Sequence, residues 1–454
     1  MNLPAALIQS LTDVTGFDRE NFEQVHLSGE QVTSVRINPA KANKQLPIVN
    51  KQLPVPWSSN GFYLPERPSF TLDPFFHAGA YYVQEASSMF LEEVLKQTVD
   101  LTQPLKVLDL CAAPGGKSTL IQSLLNENSF LVSNEVIKTR VSILAENITK
   151  WGAANVVVTN NDPKDFQRMQ NYFDVIVVDA PCSGSGLFRK DPEAITEWSE
   201  NNVLLCSQRQ QRILADVLPA LKDEGILIYS TCSYSQEEDE VIANWLVEEH
   251  HLSSIQLQLN NNWGIVEVQS PQANAFGYRF YPGKIKGEGF FIAAFKKSGS
   301  AGYQNKKIKN KPEKITAAET AVVNSYLKNA DLFFYIKQQN DVLAVPLALQ
   351  EELAVLQSSL YIKKAGIKMG AVIRNGLVPE HELAMSTIIG HNIPVVEADE
   401  TAALQYLRRG DFKLESSQQG WALIAYRNLP LGWVKILPNR INNYYPATWR
   451  IVNK

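Results

Sequence analysis

Two cysteines stand at the ends of apolar runs, each beside small residues. Cys182 follows Asp179 and Pro181 in "VVDAPCSGSG", and Cys232 ends the run "ILIYSTC". Free cysteines usually fill space inside a core, and Cys206, within "NVLLCSQ", is interpreted in that way. A thiolate is also a strong nucleophile. Two thiols in the same position at two strand ends favour a chemical role over packing.

The reaction that needs such thiols is methylation of a ring carbon. A nitrogen or oxygen acceptor already carries a lone pair and needs no cysteine. Carbon 5 of a pyrimidine is electron-poor, and addition of a thiolate to carbon 6 gives it the character of an enamine. A carboxyl group that bonds ring N3 stabilises the developing charge. Cys182, Cys232 and Asp179 are therefore a candidate site for this chemistry, and their spacing alone does not rank the two thiols.

A glycine turn follows the first predicted strand and is expected to bind a ligand. "DLCAAPGGKST" resembles a phosphate-binding loop at Gly116, Lys117 and Ser118, but Cys111 stands where that loop requires its first glycine. The turn also lacks the G-x-G-x-x-G pattern, which disfavours a dinucleotide. A turn of this kind brings backbone N–H groups to a ligand carboxylate at a helix N-terminus. We interpret Cys111 as a packing or backbone-contact residue.

Two acids follow the next two predicted strands. Glu135 comes nineteen residues after Gly116, where an acid commonly bonds the hydroxyls of a ribose. Asp162 stands where it could meet an adenine amino group. Either acid taken singly could equally cap a helix. A carboxylate, a ribose and an adenine are together the parts of S-adenosylmethionine, which the sequence therefore predicts as the cofactor.

These residues require a sheet that brings several strand ends together. Apolar runs alternate with helical patterns, which predicts an α/β fold with a parallel sheet covered by helices on both faces. Ligands bind at the carboxyl ends of such strands, so the cysteines and the glycine turn are expected in one cleft. The predicted strands cover residues 105–111, 130–135, 155–161, 172–181 and 224–232, and the predicted helices cover 119–128, 139–152 and 203–221.

The composition is that of a soluble protein with several domains. The chain has 454 residues, 45% of them apolar and 20% charged, and a net charge of −4. No apolar run is long enough to span a bilayer, and the first residues do not resemble a signal peptide. Four cysteines without a C-x-x-C pair and six scattered histidines argue against a disulfide scaffold or a metal site. We expect a monomeric, cytoplasmic protein with reduced thiols, no bound metal and no membrane contact.

Basic residues concentrate in two stretches outside this central part. Residues 296–314 carry seven lysines and one acid, and the last 28 residues carry five basic residues and no acid. The first stretch suits a solvated linker. In the second, cations alternate with aromatics, a combination that suits RNA, although those aromatics could equally form the core of a small β domain. They are Trp433, Tyr444, Tyr445 and Trp449.

Changes in the sequence pattern along the chain predict three regions. A mixture of short helical and strand-like pieces occupies residues 1–97. The alternating pattern fills residues 98–300. Residues 301–454 begin with the basic linker and contain no second glycine loop.

Three motifs, in this order, carry a resemblance to a known family. "CAAPGGK", "DAPCSGSG" and "STCSYSQEEDE" closely resemble the signatures of the NOL1/NOP2/Sun family of RNA cytosine-C5 methyltransferases. "VRINP" and "HAGAYYVQEASSMF" upstream and "GYRFYPGKIKGEGFFIAAFKK" downstream extend the resemblance. It implies a Rossmann-like core that depends on S-adenosylmethionine.

Among bacterial members, the layout is similar to the RsmF type, which modifies 16S ribosomal RNA of the small subunit. This similarity implies a small α+β N-terminal RNA-binding module and a C-terminal PUA-like RNA-binding region. The RsmB type carries a longer helical N-terminal domain, for which this chain leaves no room.

The resemblance also implies roles for single residues. The cysteine of S-T-C-S, Cys232, is the nucleophile, and the cysteine of D-A-P-C, Cys182, assists breakdown of the covalent adduct. DNA cytosine methyltransferases instead use a proline–cysteine pair as the nucleophile, which would name Cys182. Asp179 faces cofactor and base, and Lys117 lies near the reacting groups. The residues implied to hold S-adenosylmethionine are Cys111, Ala112, Ala113, Pro114, Gly115, Gly116, Lys117, Glu135, Asp162 and Asp179.

Other functions fit parts of the sequence. The same chemistry could act on transfer RNA. A ribosome-assembly factor that binds RNA without turnover would have no use for the thiol pair, and a nucleotide hydrolase would need glycine in place of Cys111.

Four consecutive acids after Cys232 look catalytic, but a structural role explains them. Ser235 and Glu238 have the spacing of a capping box at a helix start. Acids in a first helical turn also complement the helix dipole. We interpret residues 237–240 as mainly structural.

Overall fold

The computed structural model describes residues 3–42, 46–49, 53–299, 313–374, 376–412 and 418–452. Most of the lysine-rich stretch 296–314 lies outside these residues, as does Lys454. Within the described ranges, no helix combines the length and the apolar character needed to cross a bilayer.

A ten-stranded sheet forms the centre of the molecule. Five parallel strands lie in the order β8-β7-β4-β5-β6, and antiparallel strands extend the sheet on both sides. The elements of this part are β4 (Lys106–Asp109), α5 (Gly116–Leu124), β5 (Phe130–Asn134), α6 (Lys138–Trp151), β6 (Val156–Thr159), β7 (Phe173–Asp179), α7 (Glu193–Glu197), α8 (Glu200–Val217), β8 (Leu221–Thr231), α9 (Glu240–Glu248), β9 (Leu252–Ile255), β10 (Val266–Gln269), β11 (Phe276–Phe280) and β12 (Phe290–Lys297).

The parallel strands are buried on both faces, which explains their continuous apolar runs. Successive residues of β7 alternate between two hydrophobic clusters: Ile176 and Val178 belong to one, Val175 and Val177 to the other. Side chains of α5 and α6 complete one cluster, and side chains of α8 and α9 complete the other. This layering confirms the predicted α/β fold class.

The predicted elements are present with small shifts at their ends. Helix α6 ends at Trp151, and Gly152, which follows, has a φ of 89°, the left-handed conformation that glycine adopts readily. Helix α8 ends at Val217 instead of continuing to residue 221, because Pro219 lies in a short 3₁₀ turn that follows.

The N-terminal region contains a three-stranded antiparallel sheet in the order β2-β1-β3. Asn38, just after β1, donates from its side chain to the carbonyl oxygens of Gly79 and Trp151, at 3.0 and 2.9 Å. The second bond ties this region to the end of α6. Its elements are α1 (Ala5–Leu11), α2 (Arg19–Ser28), β1 (Thr33–Ile37), β2 (Gly61–Leu64), α3 (Pro74–His77), β3 (Tyr81–Val83) and α4 (Leu91–Thr98).

The C-terminal region contributes a strand and a helix to the central layers. Strand β15 pairs with β6 at the edge of the large sheet, and α11 packs on the same face as α8. The other elements form two four-stranded sheets, β13-β14-β16-β17 and β18-β19-β20-β21. The elements are α10 (Ala317–Asn324), β13 (Phe333–Gln338), β14 (Asp341–Pro346), α11 (Gln350–Ser359), β15 (Ile362–Ala365), β16 (Ile367–Ile373), β17 (Gly376–Pro379), α12 (His381–Met385), β18 (Val395–Glu397), α13 (Glu400–Arg408), β19 (Gly420–Tyr426), β20 (Leu429–Leu437) and β21 (Arg440–Asn443).

Candidate active site

The glycine turn connects β4 to α5 and leaves the start of that helix open. Gly115 precedes the helix with φ 116°, and within this described segment no side chain caps the first turn. The first N–H groups of a helix have no partner inside the helix, so they can bind a carboxylate. This geometry fits the amino-acid end of S-adenosylmethionine.

Asn134, at the end of β5, joins three neighbouring strand ends. Its side-chain NH₂ donates to the carbonyl oxygens of Leu110 and Asn161, at 3.2 and 3.0 Å. Its side-chain oxygen accepts bonds from Thr159 Oγ1 at 2.8 Å and from Asn161 N at 3.0 Å. The loops after β4, β5 and β6 are therefore held in one register.

A cavity of ≈ 170 Å³ lies between the glycine turn and the N-terminal region. The predicted cofactor residues in its wall are Cys111, Ala112, Ala113, Pro114, Gly116, Lys117 and Asp179. The opposite wall comes from β3 and the following turn: Tyr82, Val83, Gln84, Glu85 and Ser88. The N-terminal region thus forms half of this cavity.

Glu135 and Asp162 follow β5 and β6 as predicted, and their carboxylates bond their own loops. Glu135 Oε1 accepts a bond from Ile137 N at 2.9 Å, and its other oxygen lies 3.5 Å from Arg140 Nη1. Asp162 Oδ1 accepts a bond from Lys164 N at 3.2 Å and caps a short 3₁₀ helix. Among the described residues, neither acid lines the ≈ 170 Å³ cavity. Their cofactor role stays a prediction.

Asp179 ends β7 and forms an ion pair with the lysine of the glycine turn. Its Oδ2 lies 2.8 Å from Lys117 Nζ, and its Oδ1 accepts a bond from Ser230 Oγ at 2.8 Å. Burial lowers the pKa of Lys117, but the Asp179 carboxylate outweighs this effect, and the pKa is raised overall. Lys117 therefore stays charged beside the cleft.

The two cysteines of the candidate site face each other. Cys182 Sγ lies 2.9 Å from Cys232 Sγ, and both cysteines are free thiols. The parallel pairing of β7 with β8 causes this proximity, because Asp179 lies opposite Ser230 in the register. The hydrogen bond to Cys232, together with burial, raises the pKa of Cys182 well above its ordinary value. Cys206, in contrast, is buried in α8, as expected.

The predicted capping box at Ser235 is wrong. Ser235 makes no side-chain cap bond, residues 236–238 form a 3₁₀ turn, and α9 begins at Glu240. Glu238 instead turns inward and is fully buried. It accepts bonds from Ser183 N at 2.8 Å, from Ser183 Oγ at 2.5 Å and from Ser233 Oγ at 2.6 Å. Its role is structural, but it joins the residues that directly follow the two cysteines.

Sequence reasoning missed two further residues that support the glycine turn. Asp109, the last residue of β4, accepts a bond from Ser118 Oγ at 2.6 Å, and burial raises its pKa to about 7. Arg36, within "VRINP", donates from Nη2 to Thr119 Oγ1 at 2.5 Å and from Nε to Gln84 Oε1 at 2.8 Å. The position of Asp109 at the end of a predicted strand could have identified it as a site residue. The sequence contains no comparable signal for Arg36, because its contact with Thr119 joins segments 83 residues apart.

Comparisons with known proteins match nearly the whole chain. Residues 96–296 match the family model described as 16S rRNA methyltransferase RsmB/F. Residues 3–86 match the N-terminal domain of 16S rRNA methyltransferase RsmF, and residues 393–451 match the RsmF PUA domain. The ribosomal RNA small subunit methyltransferase F of Vibrio vulnificus is 31% identical over 410 residues, which cover 87% of this chain and 84% of that protein. The chain belongs to the RsmF family.

Further similar proteins agree with this membership. The RsmF-family protein of Shewanella piezotolerans, also a ribosomal RNA small subunit methyltransferase F, is 29% identical over 405 residues, with 87% and 84% of the two chains covered. A methyltransferase homolog from Pyrococcus horikoshii superposes with a TM-score of 0.52 at 26% identity, over 65% of this chain and all of the other. NSun6 from the same organism, solved with SFG, has a TM-score of 0.53 at 19% identity, over 65% and 99% of the chains, and shows the shared fold.

Membership in the RsmF family establishes the class of reaction. The chain is an S-adenosylmethionine-dependent methyltransferase from a family of ribosomal RNA methyltransferases. The open start of α5 fits the amino-acid end of this cofactor. The predicted cofactor and the resemblance to the Sun-type enzymes are thereby confirmed.

Proposed function

We propose that this RsmF-family protein methylates carbon 5 of a cytosine in 16S ribosomal RNA through a covalent bond between Cys232 and carbon 6. The observation that carries the proposal is the 2.9 Å separation of the Cys182 and Cys232 sulfurs beside the Lys117–Asp179 ion pair. Transfer to nitrogen or oxygen would need neither thiol. The target on 16S RNA comes from the names of the relatives.

The environments of the two thiols support different roles for them. An attacking thiol must be deprotonated, and the raised pKa of Cys182 keeps that thiol protonated at neutral pH. A protonated Cys182 is suited to donate a proton. The assignment of Cys232 as the nucleophile rests on the family resemblance, and the order used by DNA cytosine methyltransferases is the alternative that the experiment below tests.

In the proposed reaction, the Cys232 thiolate bonds carbon 6 and the pyrimidine becomes nucleophilic at carbon 5. As charge develops at ring N3, a proton passes to N3 through the Asp179 carboxyl group, and Lys117 pairs with the carboxylate that remains. This proton returns to the carboxylate when the S–C6 bond breaks. S-adenosylmethionine supplies the methyl group. When the carbon-5 proton leaves to solvent, its electron pair restores the ring double bond and the S–C6 bond breaks. Cys182 gives its proton to the departing Cys232 sulfur and later regains one from solvent.

The C-terminal aromatics divide into core and surface residues. Trp433 and Tyr445 are fully buried, as the alternative interpretation of a small β domain expects. Tyr444, however, is 41% exposed and packs against Trp421 with ring centroids 4.4 Å apart. Lys435 lies over the same Trp421 ring at 5.3 Å. This exposed aromatic beside a cation suits single-stranded RNA, so we assign it to the RNA contact of the PUA region.

The decisive experiment is nucleoside mass spectrometry of small-subunit RNA after incubation with the protein and S-adenosylmethionine. We expect 5-methylcytosine with wild type and none with Cys232→Ser. Cys182→Ala is expected to leave protein covalently attached to RNA. If 5-methylcytosine forms with Cys232→Ser but not with Cys182→Ser, the thiol roles are reversed. Absence of the product on naked RNA and on subunits, but its presence on transfer RNA, would contradict the proposed substrate.

A further inference from the structure

Arg189 ends the Cys182 loop, residues 180–189, and its side chain is buried. Nη2 donates to the carbonyl oxygen of Glu30 at 2.5 Å, and Nη1 donates to that of Gly287 at 3.3 Å. In return, the Arg189 carbonyl oxygen accepts a bond from Gln31 Nε2 at 2.8 Å. One residue thus joins the loop after α2, the Cys182 loop and the segment between β11 and β12.

The Cys182 loop packs tightly against the strand end that carries Cys232. Gly186 N donates to the Cys232 carbonyl oxygen at 2.9 Å, and Gly289 N donates to the Gly186 carbonyl oxygen at 3.2 Å. A Cβ atom on Gly186 would lie 2.5 Å from the Gly289 carbonyl oxygen and 2.8 Å from that of Cys232. The Cys182 loop can therefore approach the strand end that carries Cys232 this closely only with glycine at position 186.

The guanidinium group of Arg189 faces a buried carboxylate. Nη1 lies 3.7 Å from Glu288 Oε2, which is an ion pair but too long for a hydrogen bond. In the described part of the chain, Arg189 Nε and both carboxylate oxygens of Glu288 are buried without a hydrogen-bond partner. If these side chains only filled space, well-packed apolar residues would do so without the free-energy cost of removing charged groups from water. Two buried polar side chains with unpaired atoms therefore point to a task beyond packing.

We propose that Arg189 is a positioning residue that holds the Cys182 thiol at Cys232, and that residues 30–31 of the N-terminal region are needed for this function. The inference rests on the proposed function, because it concerns the release step assigned to Cys182. Without the Arg189 side chain, the Cys182 loop loses its bonds to the carbonyl oxygens of Glu30 and Gly287. The proton donor then no longer meets the departing sulfur.

Thiol spacing can be measured without RNA or cofactor. Diamide links two thiols that lie close together, and peptide mass spectrometry quantifies the Cys182–Cys232 product. We expect Arg189→Met to slow this linkage about tenfold, which corresponds to losing bonds to a charged group. Gln31→Ala is expected to slow it less, and Arg189→Lys to restore part of the rate. Lys190→Met, which removes a neighbouring charge, should leave the rate unchanged.

Cys206 provides an internal control for general loosening of the fold. It is buried in α8, away from the bonds of Arg189. We expect alkylation of Cys206 by N-ethylmaleimide to proceed at the wild-type rate in Arg189→Met. Faster alkylation would mean that the substitution loosens the whole domain, which would overturn a specific positioning role. In that case Gln31→Ala tests the contact between residues 30–31 and the Cys182 loop, because it removes the bond to the Arg189 carbonyl oxygen and leaves the buried arginine side chain in place.

Steady-state methylation kinetics separate this inference from the proposed function. Arg189→Met should lower kcat and accumulate the protein–RNA adduct, while KM for RNA stays near the wild-type value. Unchanged linkage and unchanged kcat would overturn the positioning role and leave the reaction intact. A different result would refute the proposed function alone. In that case the wild-type protein forms no 5-methylcytosine, but Arg189→Met still slows the thiol linkage, so the positioning role is retained.

Discussion

Lys117 Nζ lies 2.8 Å from Asp179 Oδ2, although Lys117 lies in the helix after β4 and Asp179 is the last residue of β7. This ion pair joins the glycine turn to the strand end that carries the candidate site. Ser230 Oγ holds the other carboxylate oxygen at 2.8 Å. The Asp179 carboxylate is thus oriented from two sides before any substrate binds, which is the preorganisation that electrostatic catalysis requires.

Asp179→Asn should lower the single-turnover rate constant of methylation by about 10²–10³-fold, because an amide cannot give a proton to the charge that develops at ring N3. Single-turnover formation of methylated RNA measures this loss. Asp174→Asn is the matched control, since Asp174 lies at the opposite end of the same strand and bonds Lys222. Equal losses in both variants would contradict a specific role for Asp179.

Glu238→Ala should lower the free energy of unfolding by about 3 kcal/mol, because it leaves buried donors of Ser183 and Ser233 without an acceptor. Glu238→Gln keeps one acceptor oxygen and should cost less. Urea unfolding followed by tryptophan fluorescence measures both. Glu237→Ala, in the same turn, is expected to change the free energy of unfolding by less than about 0.5 kcal/mol. A similar loss of unfolding free energy in Glu237→Ala would show that the acids stabilise the turn in general, and that the bonds of Glu238 to Ser183 and Ser233 are not the cause.

Glu288 makes stability depend on pH. Burial raises its pKa to about 7, despite the charges of Arg189 and Lys190, and Glu85 and Tyr234 also face it. The folded protein therefore holds a proton that the unfolded chain releases near its ordinary pKa of 4.5. Stability contributed by this group falls as pH rises from that value through 7.

Glu288→Gln removes this dependence. We expect the variant to be more stable than wild type at pH 8, by at most about 3 kcal/mol, with the difference disappearing toward pH 4.5. Urea titrations at several pH values measure it. A stability difference that grows as the pH falls would contradict the raised pKa.

Tyr444→Ala should weaken binding of single-stranded RNA by about 1–3 kcal/mol, the usual contribution of one stacked base. Tyr444→Phe keeps the ring and should bind like wild type. Fluorescence anisotropy with a labelled oligonucleotide at fixed salt measures the affinities. If both variants bind like wild type, the RNA contact lies on another surface of the C-terminal region.

Most of the central fold could be predicted from local sequence patterns. The apolar runs of β4 to β8 are buried on both faces, and a strand of that kind is legible from its own residues. The same strand ends led to Cys182, Cys232 and Asp179, because parallel strands bring their carboxyl ends to one edge. The shifts at helix ends had local causes as well, such as Pro219 after α8.

The features that sequence reasoning missed depend on contacts between distant segments. Glu238 has the spacing of a helix cap, yet bonds to Ser183 across 55 residues decide its conformation. Arg36 and Arg189 act through partners in other regions. No periodicity or motif encodes such pairs, because they arise only when the segments are packed together. The pairing of β15 with β6 was missed for the same reason.

That edge strand has a consequence for how the chain is made. Asn161 and Tyr361 bond each other at the β6–β15 junction although 200 residues separate them. During synthesis, the chain grows from its N-terminus at about 5–20 residues per second. Strand β6 is therefore an unpaired edge for many seconds before β15 is made. An unpaired strand edge leaves backbone N–H and C=O groups open to pairing with other chains. The nascent methyltransferase domain thus keeps this edge of its sheet open until β15 has been made.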